Sequence, residues 1–308
     1  MTEAPGAGRY APSPTGPQHL GNARTALLAW LSARASGARF VLRIEDLDPD
    51  RSQPRFEQLV IDDLRWLGLD WDEGPDVGGP HGPYRQSQRG DHYAAAIARL
   101  ATYPCTCTRR ELREIASAPH GVEPIYPGTC LRHGCDPTRP RSLRWRAPSG
   151  SASAHDRRLG ELTQDVARDI GDFVLRRGDG AFAYALAVVV DDAAMAIDQV
   201  VRGEDLWPAT PRQVWLQRAL ALPTPSHLHV PLLCGPDGTK LSKRHGAPDL
   251  QTLRAGGADP ARVVAVLAAS AGLVDDRRTA VQPQRLIADF DPARLQHGRH
   301  TLDPARLR

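Results

Sequence analysis

Lysine is almost absent. Of the 39 basic residues 37 are arginine, and the only two lysines are Lys240 and Lys243. Drift towards arginine is blind to chemistry, so two ammonium groups three residues apart, with none elsewhere, mark a place where a compact point charge is required. Long apolar runs are missing too. The longest, near Val263 to Val274, falls well short of the roughly 20 residues that cross a bilayer. Met1 to Gly8 holds no basic patch followed by an apolar core, so no secretory signal is expected and the expected location is cytoplasmic. Nor is there a large excess of charge: a net +3 permits a local basic face for nucleic acid but does not by itself argue for such a partner. Cysteine is scarce, five in all, with four between residues 105 and 135. In a cytosolic chain this points to a metal or to buried thiols rather than to a disulfide framework.

What is present is globular. A chain of 308 residues, 41% hydrophobic and 24% charged, exceeds one typical domain of about 100 to 150 residues, so two or three units are expected. Arg9 to Ala11 reads as a strand, Pro12 to Pro17 as a tight loop, Asn22 to Ala35 as an Ala and Leu-rich helix ended by Gly37, and Phe40 to Ile44 as a second strand. That order is a βαβ unit with parallel strands, the opening of a doubly wound α/β fold. In such sheets the ligand crevice lies beyond the carboxyl ends of the strands, which brings the Pro12 to Gly21 loop beside Glu45 and Asp46. Phe56 to Leu67 and Gln86 to Ala101 read as helices. From Cys105 to about Gly180 the composition turns to Pro, Gly, Cys and Arg, with short strands at Ser142 to Arg146 and Asp172 to Arg176. This stretch is expected to be an insertion between two halves of the sheet. Ala183 to Val190, a continuous apolar run closed by Asp191 and Asp192, is expected as a strand that returns to the main sheet. After Arg244 the chain reads as helix. The divisions are 1–104, 105–180, 181–245 and 246–308.

Two loops carry chemistry. His19-Leu20-Gly21-Asn22 lies where a loop meets a helix N-terminus, and backbone N–H groups and the helix dipole favour phosphate there. A small Gly21 lets a nucleotide approach the backbone, and His19 can donate to a phosphate oxygen. Gly235 to Arg244 is a turn-rich loop bearing both lysines. Cations that close on a triphosphate neutralise the charge of nucleotidyl transfer, the role assigned to Lys243.

These two motifs, in this order and about 220 residues apart, resemble the HIGH-type and KMSKS-type signatures of class I aminoacyl-tRNA synthetases. Arg9 to Gly16, Arg43 to Asp48, Val189 to Asp192 and Val201 to Asp205 are similar to glutamyl-tRNA synthetases in particular, over about residues 8 to 290. The resemblance implies a Rossmann-like catalytic domain with an inserted zinc-bearing α+β subdomain and a short C-terminal helical segment. It implies ATP, with Mg²⁺, held by His19, Gly21, Asn22 and Lys243, and a catalytic set of His19, Asn22, Lys240 and Lys243. It places glutamate against Arg9, Tyr10, Ala11, Pro12 and Ser13, with Glu45, Tyr184 and Arg202 completing the pocket. Arg9 and Arg202 would bind carboxylate, Glu45 the α-ammonium, and Tyr184 would orient the side chain. A structural alternative pairs Arg202 with Glu204. Ala185 departs from the family, which commonly has a polar residue after the tyrosine.

Spacing alone suggests Cys105, Cys107, Cys130 and Cys135 as a tetrahedral zinc set. Related short enzymes use a tyrosine in a Tyr-x-Gly-x-Cys setting, so the resemblance implies Cys105, Cys107, Tyr126 and Cys130, with Cys135 or His133 in reserve. Only 64 residues follow Arg244, too few for the anticodon-binding domain of a full glutamyl-tRNA synthetase. This resembles the short glutamyl-queuosine tRNA(Asp) synthetases, and implies a monomer that transfers glutamate to queuosine in the tRNA(Asp) anticodon loop. Arg-rich segments such as Arg139 to Arg146 would contact phosphates. The alternatives are a truncated enzyme charging tRNA(Glu) and a non-catalytic RNA-binding paralogue.

Overall fold

The computed structural model describes residues 6–108, 110–112, 125–235, 241, 248–295, 300–301 and 307. Lys240, Lys243 and Arg244 lie outside the described residues. In chain order the elements used below are β1 (Ala7–Tyr10), α1 (Leu20–Ala35), β2 (Arg39–Leu42), α2 (Pro54–Trp66), α3 (Gly90–Ala98), β3 (Thr102–Cys105), α4 (Thr129–His133), β4 (Ser142–Trp145), β5 (Ser151–Asp156), β6 (Gly160–Asp165), β7 (Phe173–Arg176), α5 (Tyr184–Ala194), β8 (Gln199–Gly203), α6 (Thr210–Ala219), β9 (Ser226–Val230), β10 (Leu233–Cys234), α7 (Leu250–Ala255) and α8 (Pro260–Ser270).

Six strands form the main sheet in the order β2-β1-β8-β9-β5-β6, with every neighbouring pair parallel except the β5-β6 hairpin. Alternate side chains of its inner strands enter different apolar layers: on β8, Val201 joins the layer under α1, α2 and α8, while Val200 packs with Ala7, Val41 and Ile197 on the other face. Burial on both faces is the ordinary state of a parallel sheet. Helix α1 is buried around most of its circumference, Arg24 and Ser32 included, and lies against β1 and β8. Its close approach depends on Gly8, where a Cβ would come within 2.8 Å of Ala33.

The expected strand at Ala183 to Val190 is instead the start of helix α5. A short apolar run fits either a buried strand or a buried helix. The helix wins because Asp191 and Asp192 must both reach Arg43, at 3.9 and 2.7 Å. Consecutive strand residues point to opposite faces, whereas consecutive helix residues can share a neighbour. The place beside β1 is taken by β8. The helix expected from Gln86 to Ala101 is divided into a 3₁₀ turn at Gln86–Gln88 and α3.

The stretch from 105 to 180 is shared between two sheets. Strands β4 and β7 join β3 in a separate antiparallel sheet, while the β5-β6 hairpin extends the main sheet, Asp156 lying opposite His227 of β9. Of the C-terminal stretch expected as helix, the described residues place two α-helices, α7 and α8, each capped by an aspartate, Asp249 on Thr252 N–H at 2.8 Å and Asp259 on Ala261 N–H at 3.0 Å, followed by short 3₁₀ turns at Pro283–Leu286 and Pro292–Arg294. No helix among the described residues is long and apolar enough to cross a membrane.

Candidate active site

A cleft of about 400 Å³ opens beyond the carboxyl ends of β1 and β8. Here β1 is flanked by β2 on one side and β8 on the other, the position at which doubly wound sheets bind ligands. Arg9, Tyr10, Ala11, Pro12 and Ser13 line it from the end of β1, with His19, Gly21 and Asn22 from the start of α1. Glu45, Tyr184 and Arg202 line it as well, so the proposed amino-acid residues and three of the proposed nucleotide residues share one cavity. His19 is the N-cap of α1, its carbonyl accepting from Asn22 and Ala23 N–H. Gly21 has a second reason to lack a side chain: a Cβ there would stand 3.1 Å from the His19 ring.

The floor of the cleft is a buried ion network. Arg9 Nε donates to Asp192 Oδ1 at 3.3 Å and its Nη1 to Val201 O at 3.4 Å. Arg43, 0% exposed, donates to the same Asp192 oxygen at 2.7 Å and to Glu45 Oε1 at 3.1 Å. Although burial opposes it, Arg9 and Arg43 hold the Asp192 carboxyl below its usual range. Burial pushes Glu45 up, against the pull of Arg43 and Arg9. Deeper still, Asp191 accepts from Arg89, Gln86 and Tyr93 at 2.6 to 2.8 Å. Neither Arg43 nor Asp192 was singled out individually by sequence reasoning; two acidic residues closing an apolar run were the available signal.

Arg202 does not pair with Glu204. Its Nε donates to His229 Nε2 at 2.9 Å and its Nη2 to Thr210 Oγ1 at 2.8 Å, while Glu204 pairs with Arg158. A guanidinium carries five N–H groups, so Arg9 and Arg202 both retain donors for a ligand carboxylate. Tyr184, 39% exposed, stands at the first turn of α5. Burial and then Glu45 raise its hydroxyl, which stays protonated and able to donate. Ala185 packs against the apolar cluster under α5 and does not line the cleft. Asp205, Thr25 and the Pro231 to Leu233 segment line it without having been expected there.

A second cluster lies on the separate sheet. The Sγ atoms of Cys105, Cys107 and Cys130 lie within 4.8 Å of one another, with Cys107 and Cys130 at 3.5 Å. Tyr126 Oη is 3.5 Å from Cys105 Sγ and 3.7 Å from Cys107 Sγ, and accepts from Cys130 N–H at 2.7 Å. Thiolates on a tetrahedral ion with bonds of about 2.3 Å stand roughly 3.8 Å apart, so three thiols and a phenol at this spacing suit a metal. Burial works against it, but N–H donation from Thr106 and the bond to Tyr126 bring the Cys130 thiol down to about 6, favouring the ligating thiolate. Cys135 instead donates to Pro104 O at 3.0 Å. In the Arg-rich segment nearby, Arg144 is buried, 3.9 Å over the Tyr126 ring, and Arg139 pairs with Glu111, so neither side chain stands free for phosphate.

A family model described as tRNA synthetases class I (E and Q), catalytic domain, matches residues 7–308. A protein of Symbiobacterium thermophilum named Glutamyl-Q tRNA(Asp) synthetase is 52% identical over 302 residues, covering 94% of this chain and 93% of that protein. One of the same name from Deinococcus radiodurans is 54% identical over 266 residues, covering 85% and 87%. The crystal structure of a glutamate tRNA ligase from Elizabethkingia meningosepticum in complex with its amino acid aligns with a TM-score of 0.85 at 28% identity, covering 99% of this chain and 68% of that one.

His227 of β9 is buried near the arginines of the cleft. Burial, then Arg202, push His227 down to about 3, so between about pH 3 and 6.5 the unfolded chain binds a proton that the folded one refuses. The stability that His227 contributes is therefore full above about pH 6.5 and is lost as pH drops, by up to about 1.4 kcal/mol per unit. Urea unfolding at about pH 7 and about pH 5 should show a loss, and His227→Phe should make it smaller, with His229, also held down by burial, supplying part of what remains.

Proposed function

The chain belongs to the class I tRNA synthetase family of glutamate and glutamine catalytic domains, and from that membership we propose that it joins L-glutamate to queuosine in tRNA(Asp) in two steps. In the first, the α-carboxylate of glutamate attacks the α-phosphorus of ATP, giving glutamyl-adenylate and releasing pyrophosphate. In the second, a ring hydroxyl of queuosine at the wobble position attacks the activated carbonyl and AMP leaves. One observation carries the choice of glutamate: Arg9, Arg202 and Glu45 meet in one cleft, two cations for carboxylates and one anion for the ammonium. Burying those ligand charges is tolerable only where each finds a partner.

His19, Gly21 and Asn22 would hold the nucleotide's phosphates at the α1 N-terminus, and Lys240 and Lys243 would neutralise the charge that develops as pyrophosphate departs. Mg²⁺ accompanies the ATP. No protein nucleophile is invoked, because holding the reactants in line supplies the larger effect. The acceptor is supported by likeness to the proteins named Glutamyl-Q tRNA(Asp) synthetase, which this chain matches along most of both lengths, whereas it covers 68% of the glutamate tRNA ligase structure. We place the acceptor surface within 105–180 and the action of a monomer in the cytoplasm.

Cys105, Cys107, Tyr126 and Cys130 would hold one Zn²⁺, which cross-links the β3 end to α4 and takes no part in the chemistry. Elemental analysis of purified protein should find about one zinc per chain, and Cys130→Ser should lose it together with roughly 2 kcal/mol or more of stability. Protein without zinc and an unaltered variant would refute the site.

The reaction is tested with labelled glutamate and tRNA(Asp) with and without queuosine, beside tRNA(Glu). Transfer only to the queuosine-bearing tRNA(Asp) is expected, and charging of tRNA(Glu) would reassign the acceptor. Lys243→Ala should lower glutamate-dependent pyrophosphate exchange by roughly a hundredfold or more while sparing glutamate binding. Near-normal exchange in that variant would remove Lys243 from its role.

A further inference from the structure

The substrate arginine Arg202 is not held by a carboxylate directly. Its Nε donates to His229 Nε2, and His229 Nδ1 lies 2.8 Å from Asp156 Oδ2. Since Arg202 has only donors, His229 Nε2 must present its lone pair, and the imidazole proton must sit on Nδ1 facing the aspartate. Asp156 is anchored for this purpose. Its Oδ1 accepts from Arg158 and Leu159 N–H at 2.9 and 2.8 Å, and its Oδ2 also accepts from His229 N–H at 2.7 Å. Four donors on one carboxylate keep it ionised although its side chain and that of His229 are both fully buried.

Sheet register produces the alignment. Arg202 of β8 and His229 of β9 are direct partners, and Asp156 closes β5, the next strand outward. The chain of contacts therefore runs across three adjacent strands, from the edge hairpin inward to the cleft. Thr210 Oγ1 accepts a hydrogen bond from Arg202 Nη2 at 2.8 Å, so two sides of the guanidinium are fixed by neutral acceptors. Neutral acceptors matter here. A carboxylate in direct contact would compete with the substrate for the arginine's charge, whereas a neutral imidazole orients the guanidinium and leaves that charge for the ligand. Arg9 stands in the same cleft and opposes the charge on Arg202, an effect that its own partner Asp192 offsets in part.

We propose that Asp156 and His229 are positioning residues that set glutamate affinity: Asp156 fixes the Nδ1–H tautomer of His229, whose Nε2 aims Arg202 at a substrate carboxylate. Protonation of His229 would destroy the acceptor and place a second cation against Arg202. Burial and Arg202 oppose that protonation more strongly than Asp156 promotes it. The proposal rests on the glutamate-activating reading for its substrate, while the placement of the proton stands on geometry alone.

Two measurements test it. Nitrogen NMR of histidine-labelled wild-type protein should show His229 protonated at Nδ1 and unprotonated at Nε2 near neutral pH; the reverse tautomer, or an imidazolium, overturns the proposal. Pyrophosphate exchange should then show His229→Leu raising the KM for glutamate about ten- to a hundredfold, with the KM for ATP within about twofold. His229→Gln places a side-chain carbonyl near the Nε2 position and should recover most of the loss. Equal rises in both KM values, or no rise for glutamate, would mean that the histidine supports the fold and nothing more. Absence of any glutamate-dependent exchange in the wild type would overturn the reaction itself, and the nitrogen shifts would then decide the proton's position alone.

Discussion

Asp192 is the interaction on which the site depends. One of its oxygens accepts from Arg9 at the end of β1 and from Arg43 just after β2, so a carboxylate from helix α5 clamps two strands of the sheet. All three groups are buried, and removing the carboxylate would take the paired anion from Arg9 and leave Arg43 only Glu45 and the more distant Asp191, a loss on the order of 3–5 kcal/mol. The same contact orders function. Arg43, held in place by Asp192, in turn holds Glu45, and Arg9 is drawn to the cleft floor with donors to spare. Fold and binding site are thus one network, in which each cation is restrained by an anion on a different element.

A second network mirrors the first across the cleft. Arg202 is restrained by neutral acceptors, with the balancing anion, Asp156, set one residue further back on the edge hairpin. Strands β5 and β6 therefore do more than extend the sheet. They bring the carboxylate that fixes His229, and they do so from within a stretch of sequence that otherwise builds the separate cysteine-bearing sheet. The cleft has one arginine anchored by charge and one anchored by orientation.

Much of this was legible in the sequence, for identifiable reasons. The βαβ opening followed from period and turn chemistry, and the His19 to Asn22 loop from its place before a helix. Glu45, Tyr184 and Arg202, some 140 residues or more apart at the extremes, could be joined only through resemblance, and the structure sets them in one cavity. The failures share a cause. Ala183 to Val190 carries no periodicity to separate strand from helix, and its state is settled by the tertiary demand that Asp191 and Asp192 reach arginines about 100 residues or more away. His229 and Asp156 were invisible because neither belongs to a local pattern. Their meaning comes from strand register, which emerges only when the hairpin has joined the sheet.

The proposed reaction requires that this cleft take an amino acid with two carboxylates. The decisive measurement is calorimetric titration of the tRNA-free protein with L-glutamate and with L-glutamine. Glutamate should bind, and glutamine, which offers the arginines an amide in place of a carboxylate, should bind at least roughly tenfold more weakly. Equal binding of the two, or no binding of glutamate, would contradict the account.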